Sequence, residues 1–283
     1  MATVAISDDF DLGKITNSGQ CFRAKEVEPG VFRFVTLDYV IYIRKIEDGY
    51  FDISCGAAEW ENIWSKYFDI ATDYSEIRKE INAFGANKPF AGYLNAVTEY
   101  SAGIRILRQD PFETLISFII SQRKNIPAIQ LSIELICQHY GKLIKSTHGE
   151  VYGFPHIDDL CKVSAYELST FSLGYRSAYV RDALERVKGL VVALDDLYTA
   201  SDENLINELK TIKGVGDKVA ACVALYAYHR LSHVPIDVWI KRSIQEDFGG
   251  KNVFSAFGPL AGVLQQYIYY YKRVGKKEKL DEM

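Results

Sequence analysis

Two residues of the chain, Lys218 and Asp237, could together break the bond between a sugar and its base. Lys218 falls in the first turn of a predicted helix, next to the apolar residues 219–222. The positive end of the helix dipole and an apolar setting both favour the neutral amine. A neutral amine is a nucleophile that can form a Schiff base with the C1′ carbon of a sugar. A carboxylate nearby would offset the positive charge that builds on the sugar as the base leaves.

The segment between these two residues is long enough to bring them together. A helix over residues 218–229 rises about 18 Å. Residues 230–236 can span up to about 23 Å when extended. The chain can therefore return and place Asp237 beside the start of the Lys218 helix. Asp237 also precedes the run VWIKRSI, so we expect it to cap a helix.

A glycine hairpin precedes Lys218, and its backbone suits a phosphate group. Gly214-Val215-Gly216 follows a helix that ends at Ile212, and two glycines permit a tight turn. We expect Asp217 to cap the next helix, so that residues 203–230 form a helix–hairpin–helix unit. The free N–H groups of such a unit would bind a DNA phosphate without reading the sequence of bases.

The elements that position these residues fall into two parts of the chain, which predicts an α+β fold. Residues 31–55 alternate apolar and polar side chains, with turn signals at Pro29-Gly30 and Asp48-Gly49. From Asp110 onward the pattern is helical. We therefore predict a small antiparallel sheet domain with flanking helices over residues 1–105. A helical domain with the helix–hairpin–helix motif should cover residues 106–283 and end in a frayed, charged tail.

The composition is that of a soluble globular protein, 48% hydrophobic and 25% charged. No apolar run approaches the ~18 residues of a membrane span. Acidic residues from Asp8 onward interrupt any signal peptide, so we expect a cytoplasmic protein without a membrane partner. Five scattered cysteines without a close pair indicate reduced thiols. They exclude a zinc site and an iron–sulfur loop, and we expect no metal among the site residues.

The net charge of −4 argues against a polyanionic partner. The charge is uneven, however. Residues 101–283 hold 23 basic and 21 acidic residues, a balance of +2. We therefore expect this part of the chain to bind any polyanion, through local geometry more than through a global field.

Five stretches resemble the helix–hairpin–helix DNA glycosylases, and among them most closely the 8-oxoguanine DNA glycosylase/AP lyase family. They are GVGDKVAACVALYA with VPIDVWIKRSI, NSGQCFR (17–23), RQDPFETLISFIISQRKNI (108–126), FSLGYRSAYV (171–180) and GPLAGVLQQYIYY (258–270). The resemblance implies a base-excision repair enzyme that flips 8-oxoguanine out of damaged double-stranded DNA. It would cleave the N-glycosidic bond through a lysine Schiff base and nick the abasic site by β-elimination. A monomer without an organic cofactor is expected, and relatives hold a monovalent cation at the hairpin.

The resemblance also assigns roles to individual residues. The nucleophile would be Lys218, and the aspartate of the family matches Asp237. The Gly19 carbonyl would accept a hydrogen bond from N7–H of 8-oxoguanine, which guanine lacks, while Gln265 would read the Watson–Crick edge of the flipped base. The residues that would stack on that base or contact the DNA are Cys222 and Tyr269 as a sandwich, Tyr175 as a wedge, Arg176 on the opposite cytosine, and Arg123, Asn125, Trp239, Gly214, Val215 and Gly216 along the duplex.

Four positions depart from the family pattern. Arg123 and Ala128 stand where eukaryotic members carry the asparagine and arginine that read the opposite cytosine. We therefore predict weaker discrimination for cytosine opposite the lesion. Trp239 replaces a frequent histidine, and Tyr269 replaces the usual phenylalanine while keeping a stacking face.

Other interpretations stay open at this point. Lys218 and Asp237 could be an ordinary solvated lysine and a helix cap, and Cys222 a core thiol. Gln265 and Tyr269 lie four residues apart and could form a packed helix stripe. The protein could also be a related glycosylase with another lesion specificity, or a DNA-binding protein without activity. The lysine disfavours monofunctional glycosylases, and the cysteine pattern disfavours the branches with an iron–sulfur loop.

Overall fold

A five-stranded antiparallel sheet forms the N-terminal part of the protein. The structure, a computed structural model, describes residues 2–146 and 148–275, so the end of the predicted charged tail (276–283) lies outside the described residues. The strand order is β1-β5-β4-β3-β2. The strands of this sheet are β1 (Ala2–Ala5), β2 (Lys25–Glu28), β3 (Val31–Thr36), β4 (Tyr39–Glu47) and β5 (Tyr50–Ile53).

The predicted turns close two hairpins of this sheet. Gly30 and Gly49 have φ values of 77° and 75°, which glycine adopts without strain. A third hairpin, between β3 and β4, turns at Leu37 with a φ of 49°. This turn was not predicted, because leucine and aspartate at positions 37 and 38 lack the glycine that marks the other two turns.

The rest of the described chain is mostly helical, and the predicted α+β fold is confirmed. Among the described residues, no helix is long and apolar enough to cross a membrane. The α-helices are α1 (Leu12–Asn17), α2 (Ala57–Glu59), α3 (Ser65–Tyr67), α4 (Tyr74–Gly85), α5 (Ala91–Tyr100), α6 (Pro111–Ser121), α7 (Ile126–Tyr140), α8 (Ile157–Leu160), α9 (Ala165–Leu168), α10 (Arg176–Lys188), α11 (Asp202–Lys210), α12 (Asp217–Tyr226), α13 (Val238–Glu246) and α14 (Ala261–Tyr270). Short π-helical or 3₁₀ turns occur at Trp60–Trp64, Ser169–Leu173, Asp196–Tyr198, Phe254–Leu260 and Tyr271–Gly275, and a small hairpin pairs β6 (Leu143–Ile144) with β7 (Val151–Tyr152).

Helix α6 runs through the centre of the helical body and begins where the sequence predicts. Asp110 caps it by accepting a 2.8 Å hydrogen bond from the Glu113 N–H, and Pro111 occupies its first turn. Its residues from Thr114 to Ser121 are all buried. The helix therefore runs through the core. The chain reaches the surface after the helix ends, at the half-buried Gln122.

Two hydrophobic clusters support the fold. The smaller one joins the sheet to the first helical turns and includes Phe34, Ile41, Trp64 and Phe68. The larger cluster fills the helical body and also takes in buried side chains of α4 and α5. The boundary at residues 105 and 106 stays a prediction.

One expected helix cap is wrong. Gly216, not Asp217, caps α12, because Gly216 has the extended backbone of a cap residue, with φ −99° and ψ −175°. Asp217 is the first helical residue, and its carboxylate lies 2.5 Å from the Lys210 ammonium group. The carboxylate therefore points toward α11 and does not cap the N-terminal end of α12.

Candidate active site

A cavity of about 350 Å³ lies where the turn after α1 meets α6, α12, α13 and α14. Its volume is within the range of small-molecule pockets, about 300–1,000 Å³. The site residues from the sequence analysis that border this cavity are Gly19, Arg123, Lys218, Cys222, Asp237, Trp239, Gln265 and Tyr269. The fold therefore collects on one surface residues that are far apart in the sequence.

Lys218 stands in the first turn of α12 and opens to solvent at the cavity. The prediction that its apolar neighbours would desolvate this amine is wrong for the protein alone, because the side chain is exposed. Of its apolar neighbours, Val219 and Ala220 point into the core of the helical body, whereas Cys222 lines the cavity together with Lys218. Across residues 2–146 and 148–275 there is no ion pair that occupies the Lys218 ammonium group.

Asp237 caps α13 at the other side of the cavity, as predicted. Its Oδ1 atom accepts hydrogen bonds from the Trp239 and Ile240 N–H groups at 3.0 and 2.9 Å. Burial raises the pKa of the Asp237 carboxyl group above its ordinary value. The backbone hydrogen bonds and the positive charge of Lys218 act in the opposite direction. The amine and the carboxyl group are thus close enough to interact across the cavity.

Gln265 projects from α14 into this cavity and carries an unpaired polar atom. The residue is 3% exposed, and its Oε1 atom is buried without a hydrogen-bond partner among the described residues. Such an atom costs free energy unless a ligand supplies a donor. A packed helix stripe does not require an amide here, so the unpaired oxygen favours a binding role.

Gly19 and Tyr269 form one wall of the cavity. Gly19 has a φ of 78°, and a Cβ atom added to it would lie 2.9 Å from the Tyr269 ring. Both its backbone conformation and this close approach therefore require glycine. Burial raises the pKa of the Tyr269 hydroxyl, and the Arg273 guanidinium group lies 5.4 Å from the centre of its ring.

The Cys222 thiol faces the same cavity from α12. Burial raises the pKa of this thiol to about 12. The sulfur therefore stays protonated near pH 7 and offers a neutral, polarisable surface rather than a nucleophile. A flat ring could lie between this sulfur and the Tyr269 ring.

The cavity mouth is basic even though the whole chain is acidic. Arg123, Lys124 and Lys218 line it, against the single acid Asp237. Arg123 is exposed in a left-handed turn with a φ of 52°. Lys124 is tied down by hydrogen bonds of 2.6 Å to Ser132 Oγ and 2.8 Å to the Ser172 carbonyl oxygen. This surface suits the phosphates of a strand that passes over the cavity.

Several predicted residues lie outside the cavity. Tyr175 is half-exposed before α10, and the buried Arg176 guanidinium group lies 4.5 Å from the centre of its ring. Arg176 donates hydrogen bonds to the Gln122 and Leu173 carbonyl oxygens. Asn125 caps α7 by accepting a 2.9 Å hydrogen bond from the Ala128 N–H.

The predicted glycine hairpin joins α11 to α12. Gly214 has a φ of 85°, and the exposed Gly216 caps α12. Val215 is buried, so only its backbone can face a ligand. The Gln122 amide donates a 3.1 Å hydrogen bond to the Gly214 carbonyl oxygen, which attaches the hairpin to the end of α6.

Three aromatic residues of the cavity were not predicted from the sequence. Phe22, Phe118 and Tyr226 line it, with Phe118 5.3 Å from the Phe22 ring and 5.5 Å from the Tyr226 ring. Phe22 and Phe118 lie in stretches that resemble the family, but nothing in their spacing distinguishes them from ordinary core residues. Among the residues that the structure describes, no group of three or more histidine, cysteine or acidic residues could hold a metal ion.

Comparisons with known proteins agree with this geometry. The N-terminal domain family of 8-oxoguanine DNA glycosylase matches residues 3–115. The structure of MBOgg1 in complex with a low-affinity DNA ligand is 34% identical, with a TM-score of 0.90 over 97% of this chain and 96% of that one. The apo-form of the Clostridium acetobutylicum 8-oxoguanine glycosylase/lyase is 33% identical, with a TM-score of 0.87 over 95% of each chain.

A curated relative points the same way. The N-glycosylase/DNA lyase of Saccharomyces cerevisiae is 35% identical over 161 residues, which cover 52% of this chain and 42% of the yeast protein. The match thus spans less than half the length of that relative.

The fold and the site define a helix–hairpin–helix DNA glycosylase. Within that class, the chain belongs to the 8-oxoguanine DNA glycosylase family.

Proposed function

We propose that this protein excises 8-oxoguanine from double-stranded DNA and then nicks the strand at the abasic site. The observation that carries the proposal is the buried, unpaired oxygen of Gln265 in the cavity that also holds Lys218 and Asp237. A related structure from Clostridium acetobutylicum is described as an 8-oxoguanine glycosylase/lyase with DNA that contains cytosine opposite 8-oxoG. That description supports the same substrate here.

The cavity would read the flipped base by its edges and its faces. The Gln265 amide would bond to the Watson–Crick edge, and the Cys222 sulfur and Tyr269 ring would cover the two faces. The Gly19 carbonyl oxygen would accept a hydrogen bond from N7–H of 8-oxoguanine. Guanine lacks that hydrogen and would leave the carbonyl unpaired, at a cost of about 1–3 kcal/mol.

Lys218 would act as the nucleophile on the flipped nucleotide. Once the Lys218 ammonium group has given up a proton to solvent, its nitrogen forms a bond to C1′, the N-glycosidic bond breaks, and the electron pair of that bond leaves with the base, which then takes up a proton. The nitrogen then loses one proton, and the C1′–O4′ bond breaks with its electron pair on O4′, which takes up a proton as the sugar ring opens to a protonated Schiff base. Loss of a C2′ proton then expels the 3′ phosphate by β-elimination, which nicks the strand.

Asp237 would stabilise the charge that Lys218 and the sugar develop. Its carboxyl group interacts with Lys218 across the cavity and is fixed by the two backbone hydrogen bonds of its helix cap. A carboxylate in this position offsets the oxocarbenium-like charge at C1′ as the base leaves.

The surfaces around the cavity would hold the bent duplex. The hairpin Gly214–Gly216 and Trp239 would contact phosphates, and half-exposed Tyr175 would insert as a wedge beside the extruded nucleotide. Arg176, Arg123 and Asn125 would face the opposite strand. Of these, Arg123 is exposed at the cavity mouth, whereas Arg176 already donates to backbone carbonyl oxygens.

Because the proposed reaction uses only side chains of this chain, we propose that it needs no organic cofactor. We also propose that the protein acts as a monomer in the cytoplasm. A monovalent cation at the hairpin would be structural. The Gly214 carbonyl oxygen accepts from Gln122, and the Ile212 carbonyl oxygen accepts from the Val215 N–H at 3.0 Å. A cation would therefore share these oxygens with hydrogen bonds that are already made.

Incision of a duplex with a single 8-oxoguanine, without added cofactor, tests the proposed function. We expect wild-type protein to nick the lesion strand and to form a covalent adduct with it in the presence of borohydride. The Lys218→Gln variant should still bind the lesion duplex but form no adduct, because it lacks the amine. Lys213→Gln removes an exposed lysine beside the same hairpin and should leave trapping unchanged.

An adduct that persists in Lys218→Gln would show that another residue is the nucleophile. Wild-type protein that binds the duplex without incision would instead support a DNA-binding protein without activity. Incision of an alkylated duplex but not of the 8-oxoguanine duplex would indicate a glycosylase of another specificity.

A further inference from the structure

Two adjacent glutamines of α14 have opposite hydrogen-bonding states. Gln265 lines the cavity with an unpaired oxygen. Gln266 is fully buried on another side of the helix, and both ends of its amide are paired. The second glutamine therefore has a role inside the protein that differs from ligand binding.

Gln266 connects three distant parts of the chain. The Tyr226 hydroxyl, at the end of α12, donates a 2.5 Å hydrogen bond to Gln266 Oε1. Gln266 Nε2 donates a 2.7 Å hydrogen bond to the carbonyl oxygen of Ser18. Tyr226, Gln266 and Ser18 are all buried, so each of these polar groups depends on its partner.

The end of this chain of hydrogen bonds is the peptide group that leads into Gly19. The Ser18 carbonyl and the Gly19 N–H belong to one planar peptide group, so a bond to the carbonyl fixes the plane. The following residue is also fixed, because the Gln20 side chain accepts from the Leu107 N–H and donates to the Arg105 carbonyl oxygen, both at 2.8 Å. Gly19 is held between two anchored neighbours and against the Tyr269 ring.

We infer that Gln266 is a positioning residue that sets the direction of the Gly19 carbonyl group. It would thereby set the preference of the cavity for 8-oxoguanine. The inference rests on the proposed function, in which this carbonyl accepts the N7–H hydrogen bond of the lesion. Without Gln266, the peptide group before Gly19 loses its partner and can rotate, since a glycine with a φ of 78° resists rotation little.

The experiment separates base recognition from the lyase step in the same protein. Cleavage of a preformed abasic site needs Lys218 but no base in the cavity. In Gln266→Met, which keeps side-chain length without hydrogen bonding, we expect release of 8-oxoguanine under single-turnover conditions to fall about tenfold. Incision of the abasic duplex should be unchanged. Tyr226→Phe keeps the ring that lines the cavity, removes only the hydroxyl that donates to Gln266, and should give a smaller loss of 8-oxoguanine release relative to abasic-site incision.

Tyr228→Phe is the matched control, because the Tyr228 hydroxyl is also buried but donates to the Leu194 carbonyl oxygen, away from the cavity. It should change neither rate. An equal loss of both rates in Gln266→Met, or no loss, would overturn the inference. If that variant does not fold, Tyr226→Phe decides in the same way. Wild-type protein that releases no 8-oxoguanine would contradict the proposed function itself, and the inference would fall with it.

Discussion

The Asp237 carboxyl group both caps a helix and faces the site of reaction. As a cap it accepts two backbone hydrogen bonds, which favour the charged form. Burial outweighs them and raises its pKa above 3.8. An acid whose pKa rises on folding opposes folding at every pH above its unfolded pKa, because the charged group must then be buried. The buried charge of Asp237 therefore lowers stability at neutral pH, which is consistent with retention of the charge for the proposed reaction.

Replacing Asp237 with asparagine should separate these effects. Asparagine caps helices as well as aspartate does, and the buried charge is gone. We expect an unchanged or higher melting temperature at pH 7, while release of 8-oxoguanine falls by about 100-fold or more. Asp110→Asn is the control, since Asp110 is another cap whose pKa burial raises, outside the cavity. It should leave activity intact. An active Asp237→Asn variant would exclude an electrostatic role for the carboxylate.

The residues opposite the lesion predict a weak preference for cytosine. Ala128 offers no hydrogen bond where eukaryotic members carry arginine, and Arg123 is exposed in place of asparagine. One good contact between a side chain and a base edge is worth about 1–3 kcal/mol of discrimination. We therefore expect excision rates opposite C, A, G and T to differ by less than about tenfold. Rates measured on four otherwise identical duplexes check this, and a large preference for C would contradict it.

Elements rather than single residues hold Tyr175, the proposed wedge, against the hairpin Gly214–Gly216. The Tyr175 ring packs edge-on against Tyr179, at 5.6 Å between centres. Tyr179 in turn lies directly on Gly214, where an added Cβ atom would come within 2.3 Å of its ring. Arg176 and Gln122 form a second connection to the same glycine. The start of α10 and the hairpin therefore form one unit, which would hold the proposed wedge and the proposed phosphate contacts in a fixed relation.

A pair of glycine substitutions tests this arrangement. Gly214→Ala would push a methyl group into the Tyr179 ring and force alanine to a φ of 85°. We expect it to lose at least about 1 kcal/mol of stability and to bind any duplex more weakly. Gly216→Ala meets no atom within 4 Å and has an ordinary φ, so it should perturb both much less. Melting temperatures and dissociation constants for an undamaged duplex compare the two. Equal effects would contradict the role of the Gly214–Tyr179 contact.

Local sequence signals such as helix caps predicted the helices and strands well, but they could not predict contacts between residues far apart in the sequence. Asp110-Pro111 and Asp237 marked helix starts because a cap acts within a few residues of itself. The prediction that Asp217 caps α12 is wrong because glycine can take the cap position without a side-chain hydrogen bond. The hydrogen bond from Gln266 to Ser18 joins residues 248 positions apart, and neither residue type predicts it. The resemblance to the family, and not the residue types, distinguished Gln265 from Gln266, and the folded chain places Gln265 at the cavity.

At the scale of the whole molecule, a buried polar network joins the segment after β1 and the turn after α3 to the helical body. Arg105 is fully buried and donates to Asp8 Oδ2 at 2.9 Å and to the Asp69 carbonyl oxygen at 2.8 Å. The Asp69 carboxylate accepts a 2.8 Å hydrogen bond from Arg108 and lies 3.1 Å from His229 Nε2, just beyond α12. Although burial opposes it, these two partners hold the pKa of Asp69 at about 2.

This network predicts how stability depends on pH. An acid whose pKa falls from 3.8 to about 2 on folding stabilises the protein above pH 3.8 and loses that effect as the pH drops toward 2. The shift corresponds to about 2 kcal/mol at pH 7 and about half of that at pH 3. Urea unfolding of wild type and Asp69→Asn at both pH values should show this shrinking difference. Asp48→Asn, at an exposed surface pair with Lys45, should show almost none. A difference for Asp69→Asn that stays constant between pH 7 and pH 3 would mean that lost packing, and not the charge, destabilises the variant.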